Sequence, residues 1–115
     1  VFVPHPFDRL RKNAVGAVVL GAIEKKIDAI EIFNARNVFG ADNLKAKRWA
    51  KENNVTPFVG SDAHFAKEFG KATCLIDEFT SEDAFVKSLR DGQFQFARSP
   101  LIFHLLTKII KSFET

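Results

Sequence analysis

The sequence predicts an α/β fold in which parallel strands alternate with helices. Short apolar runs that suit buried strands recur along the chain, helical stretches separate them, and reactive side chains follow the strands where they end. Strands that are joined by helices usually run parallel, either in an open sheet or in part of a barrel. At 115 residues the chain is expected to form a single domain over residues 1–115.

The first half of the chain contains two predicted strands and two predicted helices. Residues 1–5 form a short strand that ends in a proline-histidine-proline run, because proline removes a hydrogen-bond donor of the ladder. A helix is predicted over residues 8–26 with Asp8 as its N-cap. Residues 28–33 alternate as a strand does, and a helix that is polar on one side follows over residues 41–53.

The second half begins with a short buried strand at Phe58-Val59 that ends at a glycine. A helical turn is predicted over residues 66–69 and a strand over residues 72–76. Thr80 is predicted to be the N-cap of the next helix, within a capping box. A short strand over residues 93–97 follows that helix.

A terminal amphipathic helix is predicted over residues 99–113. One stripe of this helix, at 3.6-residue spacing, carries only apolar side chains: Leu101, Ile102, Leu105, Leu106, Ile109, Ile110 and Phe113. The favoured interpretation is a helix that faces the core. If the chain is a piece of a longer protein, part of the stripe is exposed and drives self-association.

Composition excludes several classes of protein. The net charge is +3, and the Lys and Arg residues are scattered among Asp and Glu instead of clustered. This charge suits an anionic substrate and gives little support to nucleic acid binding. The sequence has no apolar run of membrane-spanning length and no basic region typical of a signal peptide. The single cysteine, Cys74, lies in an apolar run and is expected to be a buried thiol. These features predict a cytoplasmic protein with no membrane contact.

Polar side chains follow three successive predicted strands: His5 the first, Asn34 and Arg36 the second, Asp62 and His64 the third. The carboxyl ends of parallel strands meet at one edge of a sheet, where ligands bind. In extended backbone, residues two apart point the same way, so the aspartate and histidine of the third strand can share one cation. Carboxylate and imidazole donors suit zinc, manganese or iron, and a guanidinium suits phosphate.

Each of these residues also has a structural interpretation. His5 would cap a turn, and Asp62 would form an Asx-turn. Arg36 would be a surface arginine paired with an acid, which is as compatible with the sequence as phosphate binding. Glu31, inside a strand, is expected to be a hydrogen-bonded core acid and not a ligand. His104, on the polar flank of the last helix, is expected to be structural.

Three segments taken together resemble the C-terminal half of a PHP domain, of the polymerase and histidinol phosphatase superfamily. The similarity runs to about residue 91, and the segments that carry it are His5-Pro6-Phe7, Ile30-Glu31-Ile32-Phe33-Asn34-Ala35-Arg36 and Gly60-Ser61-Asp62-Ala63-His64-Phe65. The resemblance implies a distorted, seven-stranded TIM-like (β/α) barrel with a metal site that hydrolyses phosphate esters.

The resemblance also implies roles for individual residues. His5, Asp62 and His64 would be ligands of divalent zinc, manganese or iron, the last two at the catalytic centre, and Asn34 and Arg36 would contact the substrate phosphate. The metal would activate water for attack on phosphorus. The family's opening His-x-His motif and its second-motif histidine and glutamate have no counterpart in this sequence.

The expected function is therefore metal-dependent phosphoesterase activity in a longer parent protein. The substrate would be a small phosphorylated metabolite, a nucleotide or an RNA end. This chain begins without methionine, in what reads as a strand, and is expected to be a fragment with weak metal affinity and little turnover. The alternative is a non-catalytic, PHP-like binding or scaffold module.

Overall fold

The computed structural model describes residues 1–114 and shows a mixed α/β fold. Short 3-10 turns lie at Glu24–Lys26 and Ala66–Glu68. The strands are β1 (Phe2–Val3), β2 (Ala29–Asn34), β3 (Thr56–Gly60), β4 (Ala72–Leu75) and β5 (Gln93–Phe96). The helices are α1 (Gly16–Ile23), α2 (Gly40–Glu52), α3 (Glu82–Arg90) and α4 (Leu101–Phe113).

The first three strands form a parallel sheet in the order β1-β2-β3. The pairing is irregular between Glu31 and Phe33, where the register of β2 against β3 shifts. Such a bulge bends the strand and changes the direction of the side chains next to it. Because the three strands are parallel, their carboxyl ends lie at one edge, as the sequence predicts.

The last two strands correct the expectation of parallel strands throughout. β4 and β5 pair antiparallel in a separate sheet, with Ala72 opposite Phe96 and Leu75 opposite Gln93. Alternation of strand and helix does not determine whether two strands run parallel. Here α3 packs on β3, and the chain then returns alongside β4 in the opposite direction. Within residues 1–114 the two sheets do not close into a barrel. Cys74, in β4, is half-buried instead of fully buried.

The core lies between the parallel sheet and the helices that cover it. α2 packs along β2, and the polar side of α2 faces away from the sheet. Small side chains on α2 allow close approach to the strand. The buried members of the core are Val3, Phe7, Leu20, Ile30, Ile32, Ala46 and Ala50.

Two predicted helix starts are wrong. The helix predicted from Asp8 begins only at Gly16, whose φ of +71° favours glycine and breaks helical geometry before it. Asp8 instead accepts hydrogen bonds in a turn, from the Leu10 backbone and the Arg11 side chain. The N-cap of α3 is Ser81 and not Thr80: the Ser81 hydroxyl accepts a hydrogen bond from the Ala84 N–H at 3.1 Å.

The apolar stripe of α4 corrects the expectation of a core-facing helix. All seven of its side chains are exposed, from 37% for Leu106 to 85% for Phe113. The helix docks through a different face, where the ring of Phe103 lies 5.4 Å from that of Phe65 and Thr107 accepts a hydrogen bond from Arg36. The hydrophobic periodicity therefore identified the helix but not the face that it buries. Among the described helices, none is long and apolar enough to cross a membrane.

Candidate functional site

The loops that follow the three parallel strands turn sharply. His5, after β1, has a φ of 31°, and Asp62, after β3, has a φ of 49°. Positive φ is uncommon in residues other than glycine, and such backbone strain tends to occur at functional sites. Both residues therefore sit in turns that the surrounding structure must hold.

Glu31 is a buried carboxylate that holds the first of these turns. Its Oε2 accepts hydrogen bonds from the His5 N–H at 2.6 Å and from Asn34 Nδ2 at 3.1 Å. On its other side it packs against Gly60, where an added Cβ would collide with the carboxylate. Burial raises the pKa of Glu31 above its ordinary value. The prediction of a hydrogen-bonded acid inside the strand is confirmed.

Asn34 links this carboxylate to the third strand end. Its Nδ2 donates to Glu31 and, at 3.4 Å, to Asp62 Oδ2, while its Oδ1 accepts from the Arg36 N–H at 2.9 Å. The residue is 1% exposed. Its side chain is thus engaged by protein groups, and its predicted contact with a substrate phosphate would have to replace one of them.

Asp62 faces a guanidinium that the sequence interpretation missed. Arg11 forms an ion pair with Asp62 Oδ2, and its Nε donates to Asp8 at 3.1 Å. Arg11 is half-buried, and it escaped notice because it falls in a stretch that was predicted to be helical. The signal that would have found it is its place in the loop after a strand end, the same rule that selected His5.

The two candidate histidines differ in environment. His64 is exposed, and its Nδ1 lies 2.8 Å from the Asp62 carbonyl oxygen and 4.0 Å from Asp62 Oδ1. Because a carbonyl only accepts, this contact requires a hydrogen on Nδ1 of His64 and leaves Nε2 as the ring nitrogen that could bind a metal. The Nδ1 atom of His5 is buried without a hydrogen-bond partner. Burial, and then the charge of Arg11, lower the pKa of His5, which favours a neutral ring.

The structure brings the predicted ligands to one edge but does not assemble them. Among residues 1–114, no group of three or more His, Cys, Asp or Glu side chains is arranged to hold a metal ion. The donor types fit such an ion, as does the unpartnered His5 nitrogen. A complete shell would need further ligands.

Arg36 is buried and paired with Glu68, a residue that the sequence interpretation did not select. Its Nη1 donates to Glu68 Oε2 at 2.7 Å, and its Nη2 donates to the Thr107 hydroxyl of α4 at 3.0 Å. The side chains are 5% and 0% exposed. Of the two interpretations of Arg36, the structure shows pairing with an acid, though in the interior and not at the surface. Its predicted contact with phosphate would require this pair to open.

Glu68 extends this contact to the loop after β3. Its Oε2 also accepts hydrogen bonds from the His64 N–H at 3.0 Å and the Phe65 N–H at 3.2 Å. Burial alone would raise the pKa of Glu68, but the His64 N–H and the Arg36 charge lower it below its ordinary value. The ionised pair therefore ties α4 to the backbone of His64. On α4, burial and the charge of Arg36 lower the pKa of His104.

Comparison with known proteins finds a family model that resembles the central part of the chain. A family model described as PHP-associated matches residues 40–94, which run from α2 into β5. The uncharacterized protein MJ0417 of Methanocaldococcus jannaschii is 35% identical over 85 residues, 71% of this chain and 36% of that protein. The chain thus spans little more than a third of this curated relative. No solved structure matches this chain. The match over residues 40–94 is consistent with the resemblance to a C-terminal PHP region, and one of the three segments that carry it, residues 60–65, lies inside the match.

Proposed function

We propose that this sheet edge is one part of the metal centre of a metal-dependent phosphoesterase, with His5, Asp62 and His64 as ligands. The observation that carries the proposal is the buried, unpartnered Nδ1 of His5 at the edge where the two other donors also lie. A buried polar atom without a partner is costly in free energy. A cation bound to that nitrogen would remove the cost. Metal binding would also account for the strained backbone at His5 and Asp62.

The metal would be zinc, manganese or iron, and it would supply a water of lowered pKa and neutralise charge on the phosphoryl oxygens. The chain's own side chains fix the donors. Glu31 holds the backbone of His5, Asn34 contacts the carboxylate of Asp62, and Glu68 holds the backbone of His64. Supporting contacts of this kind orient metal ligands and tune their affinity.

Phosphate recognition is proposed for Arg11. Arg36 is in a buried ion pair, whereas the Arg11 side chain is 36% exposed and lies against Asp62. A guanidinium fork matches the geometry of a phosphate. Asn34 and Arg36, which the sequence predicts to contact phosphate, have supporting roles in this proposal. Asn34 holds the Asp62 carboxylate, and Arg36 pairs with Glu68.

In the parent protein, we propose that the open sheet is completed into a TIM-like barrel that supplies the remaining ligands. This chain alone then binds metal weakly and turns over little substrate. A small phosphorylated metabolite or nucleotide fits the proposal, because the positive charges at the site are few and local.

Calorimetric titration of the chain with Zn²⁺ or Mn²⁺ tests the ligand assignment. We expect weak binding that Asp62→Asn or His64→Gln lowers at least tenfold. Asp91→Asn is the matched control, because Asp91 is an exposed residue at the end of α3. Equal affinity in all four proteins would contradict the assignment.

A non-catalytic PHP-like module is the second candidate. The observation in its favour is that the described residues contain no assembled cluster of metal-binding side chains. A phosphoesterase panel on the full-length parent, loaded with metal, separates the two. Hydrolysis that Asp62→Asn abolishes supports the enzyme, and metal-loaded protein without hydrolysis supports the module.

A further inference from the structure

A cleft of about 400 Å³ lies apart from the candidate metal centre and shares none of its residues. It is bounded by α2, by the end of α3 and by β5. Ile32 of β2 and Pro57 of β3 line it from the sheet. The volume is that of a small-molecule site.

The floor of the cleft is apolar and partly aromatic. Val55 and Phe94 pack against the core, and Pro57 lines the cleft with them. The Phe96 ring is 49% exposed and stacks on Phe33 with ring centroids 4.2 Å apart. A ring held in this way presents its free face to a flat ligand, as aromatic pairs prefer offset stacking.

The rim of the cleft is positive. Lys47 and Lys51 lie one turn apart on α2, so both project on one side, and Arg90 approaches from the end of α3. Among the described lining residues there is no Asp or Glu, and neither lysine forms an ion pair within residues 1–114. The rim therefore offers uncompensated positive charge above an apolar floor.

Arg90 is held in place before any ligand arrives. Its Nε and Nη2 donate to the buried Thr56 hydroxyl at 3.2 and 3.0 Å, and Nη2 also donates to the Asn54 carbonyl at 3.2 Å. Nη1 donates to Asn54 Oδ1 at 3.1 Å, which leaves one Nη1 hydrogen for a ligand. A side chain that is already ordered loses little further entropy on binding.

From this complementarity we infer that the cleft binds a small anion with a flat apolar body, such as an aromatic carboxylate, sulfonate or phosphate ester. The body would lie on Phe94 and Phe96, and the anionic group would reach the two lysines and Arg90. A nucleic acid strand would need a longer basic face than three cations around one small cleft. The site is separate from the proposed phosphoesterase centre and does not depend on it.

Fluorescence titration with anilinonaphthalene sulfonate, a monoanion with a flat naphthalene ring, tests the inference. We expect the double variant Lys47→Glu/Lys51→Glu to weaken binding at least tenfold relative to the unchanged chain. The matched control is Lys108→Glu on α4, which removes a lysine beside the exposed apolar stripe. If the probe binds the α4 stripe instead, its affinity should fall in the control variant and stay unchanged in the cleft variant.

Amide chemical shifts give a second readout that is independent of any loss of stability. Titration of the unchanged chain should move the amide signals of Val55 and Phe94 and leave those of α4 in place. Equal affinity in the cleft variant and the control, or shifts confined to α4, would overturn the inference. Loss in the cleft variant together with shifts at the floor would establish it.

Discussion

Buried carboxylates hold the two sides of the candidate site. Glu31 fixes the His5 turn after β1, and Glu68 fixes the His64 loop after β3. Each accepts a hydrogen bond from at least one backbone N–H group, which offsets part of the cost of burying an acid. The proposed ligands are more exposed than these two acids, so the geometry of the candidate site depends on residues that lie behind it.

Replacing Arg11 separates the effects on metal and on phosphate. Arg11→Gln removes the cation that contacts Asp62, so metal affinity should rise by about tenfold, equivalent to about 1.4 kcal/mol. Affinity of the metal-loaded protein for inorganic phosphate should fall by a similar factor. Calorimetry measures both, and Arg9→Gln, two residues away and paired with Asp42, is the control. A parallel fall in both affinities would show that Arg11 only stabilises the loop.

Gly60 should not tolerate alanine. The Cβ of an alanine there would collide with the Glu31 carboxylate. The carboxylate would have to move and would lose its hydrogen bond from the His5 N–H. We expect Gly60→Ala to lower the free energy of unfolding by about 1–3 kcal/mol. Gly21→Ala, inside α1 and with open space around it, should raise it by about 0.5–1 kcal/mol. Urea denaturation measures both, and equal effects would contradict the role of Glu31.

At the residue scale, the sequence predicted which strand ends carry reactive groups but not their partners. His5 and Asp62 follow their strands as expected, because strand ends can be located from apolar runs, whereas Asn34 is itself the last residue of β2. The pairing of Arg36 with Glu68 joins residues 32 apart and depends on how the loop after β3 folds back. No local pattern encodes such a contact.

At the scale of elements, the first turn of α2 is anchored by a buried acid. Asp42 is 4% exposed and accepts hydrogen bonds from the Arg9 backbone and side chain, so α2 is tied to the loop after β1. Burial alone would raise the pKa of Asp42, but the bonds from Arg9 lower it below its ordinary value of 3.8. A negative charge there also suits the N-terminus of a helix.

The stability that Asp42 contributes should depend on pH in a defined direction. Because its pKa is lower in the folded chain, the contribution is complete above about pH 4 and is lost as the pH falls through the folded pKa. Asp42→Asn should cost about 1 kcal/mol at neutral pH, and the difference should shrink in acid. Asp83→Asn, an exposed acid in the first turn of α3, is the control. A pH-independent difference in urea denaturation would contradict the ion pair.

Prediction of the elements succeeded where a local signal decides and failed where tertiary contacts decide. The helix over α2 and the strand β2 were located to within a residue at each end. The direction of β5 was wrong, because an antiparallel return and a parallel crossover leave the same strand-helix-strand order in the sequence. The start of α1 was wrong because helices tolerate single glycines, so the sequence does not reveal that Gly16 has a positive φ.

On the scale of the whole molecule, apolar surface is distributed unevenly. The core cluster lies under the parallel sheet, whereas Val18 of α1 is 88% exposed and the α4 stripe is open along its length. Monomeric proteins rarely expose apolar patches of this extent without a partner.

Paired alanine substitutions distinguish the core from the exposed stripe. Leu20 is 0% exposed, so Leu20→Ala should lower the free energy of unfolding by about 2–5 kcal/mol. Ile109 on α4 is 43% exposed, so Ile109→Ala should cost about 0.5 kcal/mol or less. Urea denaturation at two protein concentrations measures both values. A larger cost for Ile109→Ala that grows with protein concentration would mean that a second copy covers the stripe, because only association makes stability depend on concentration.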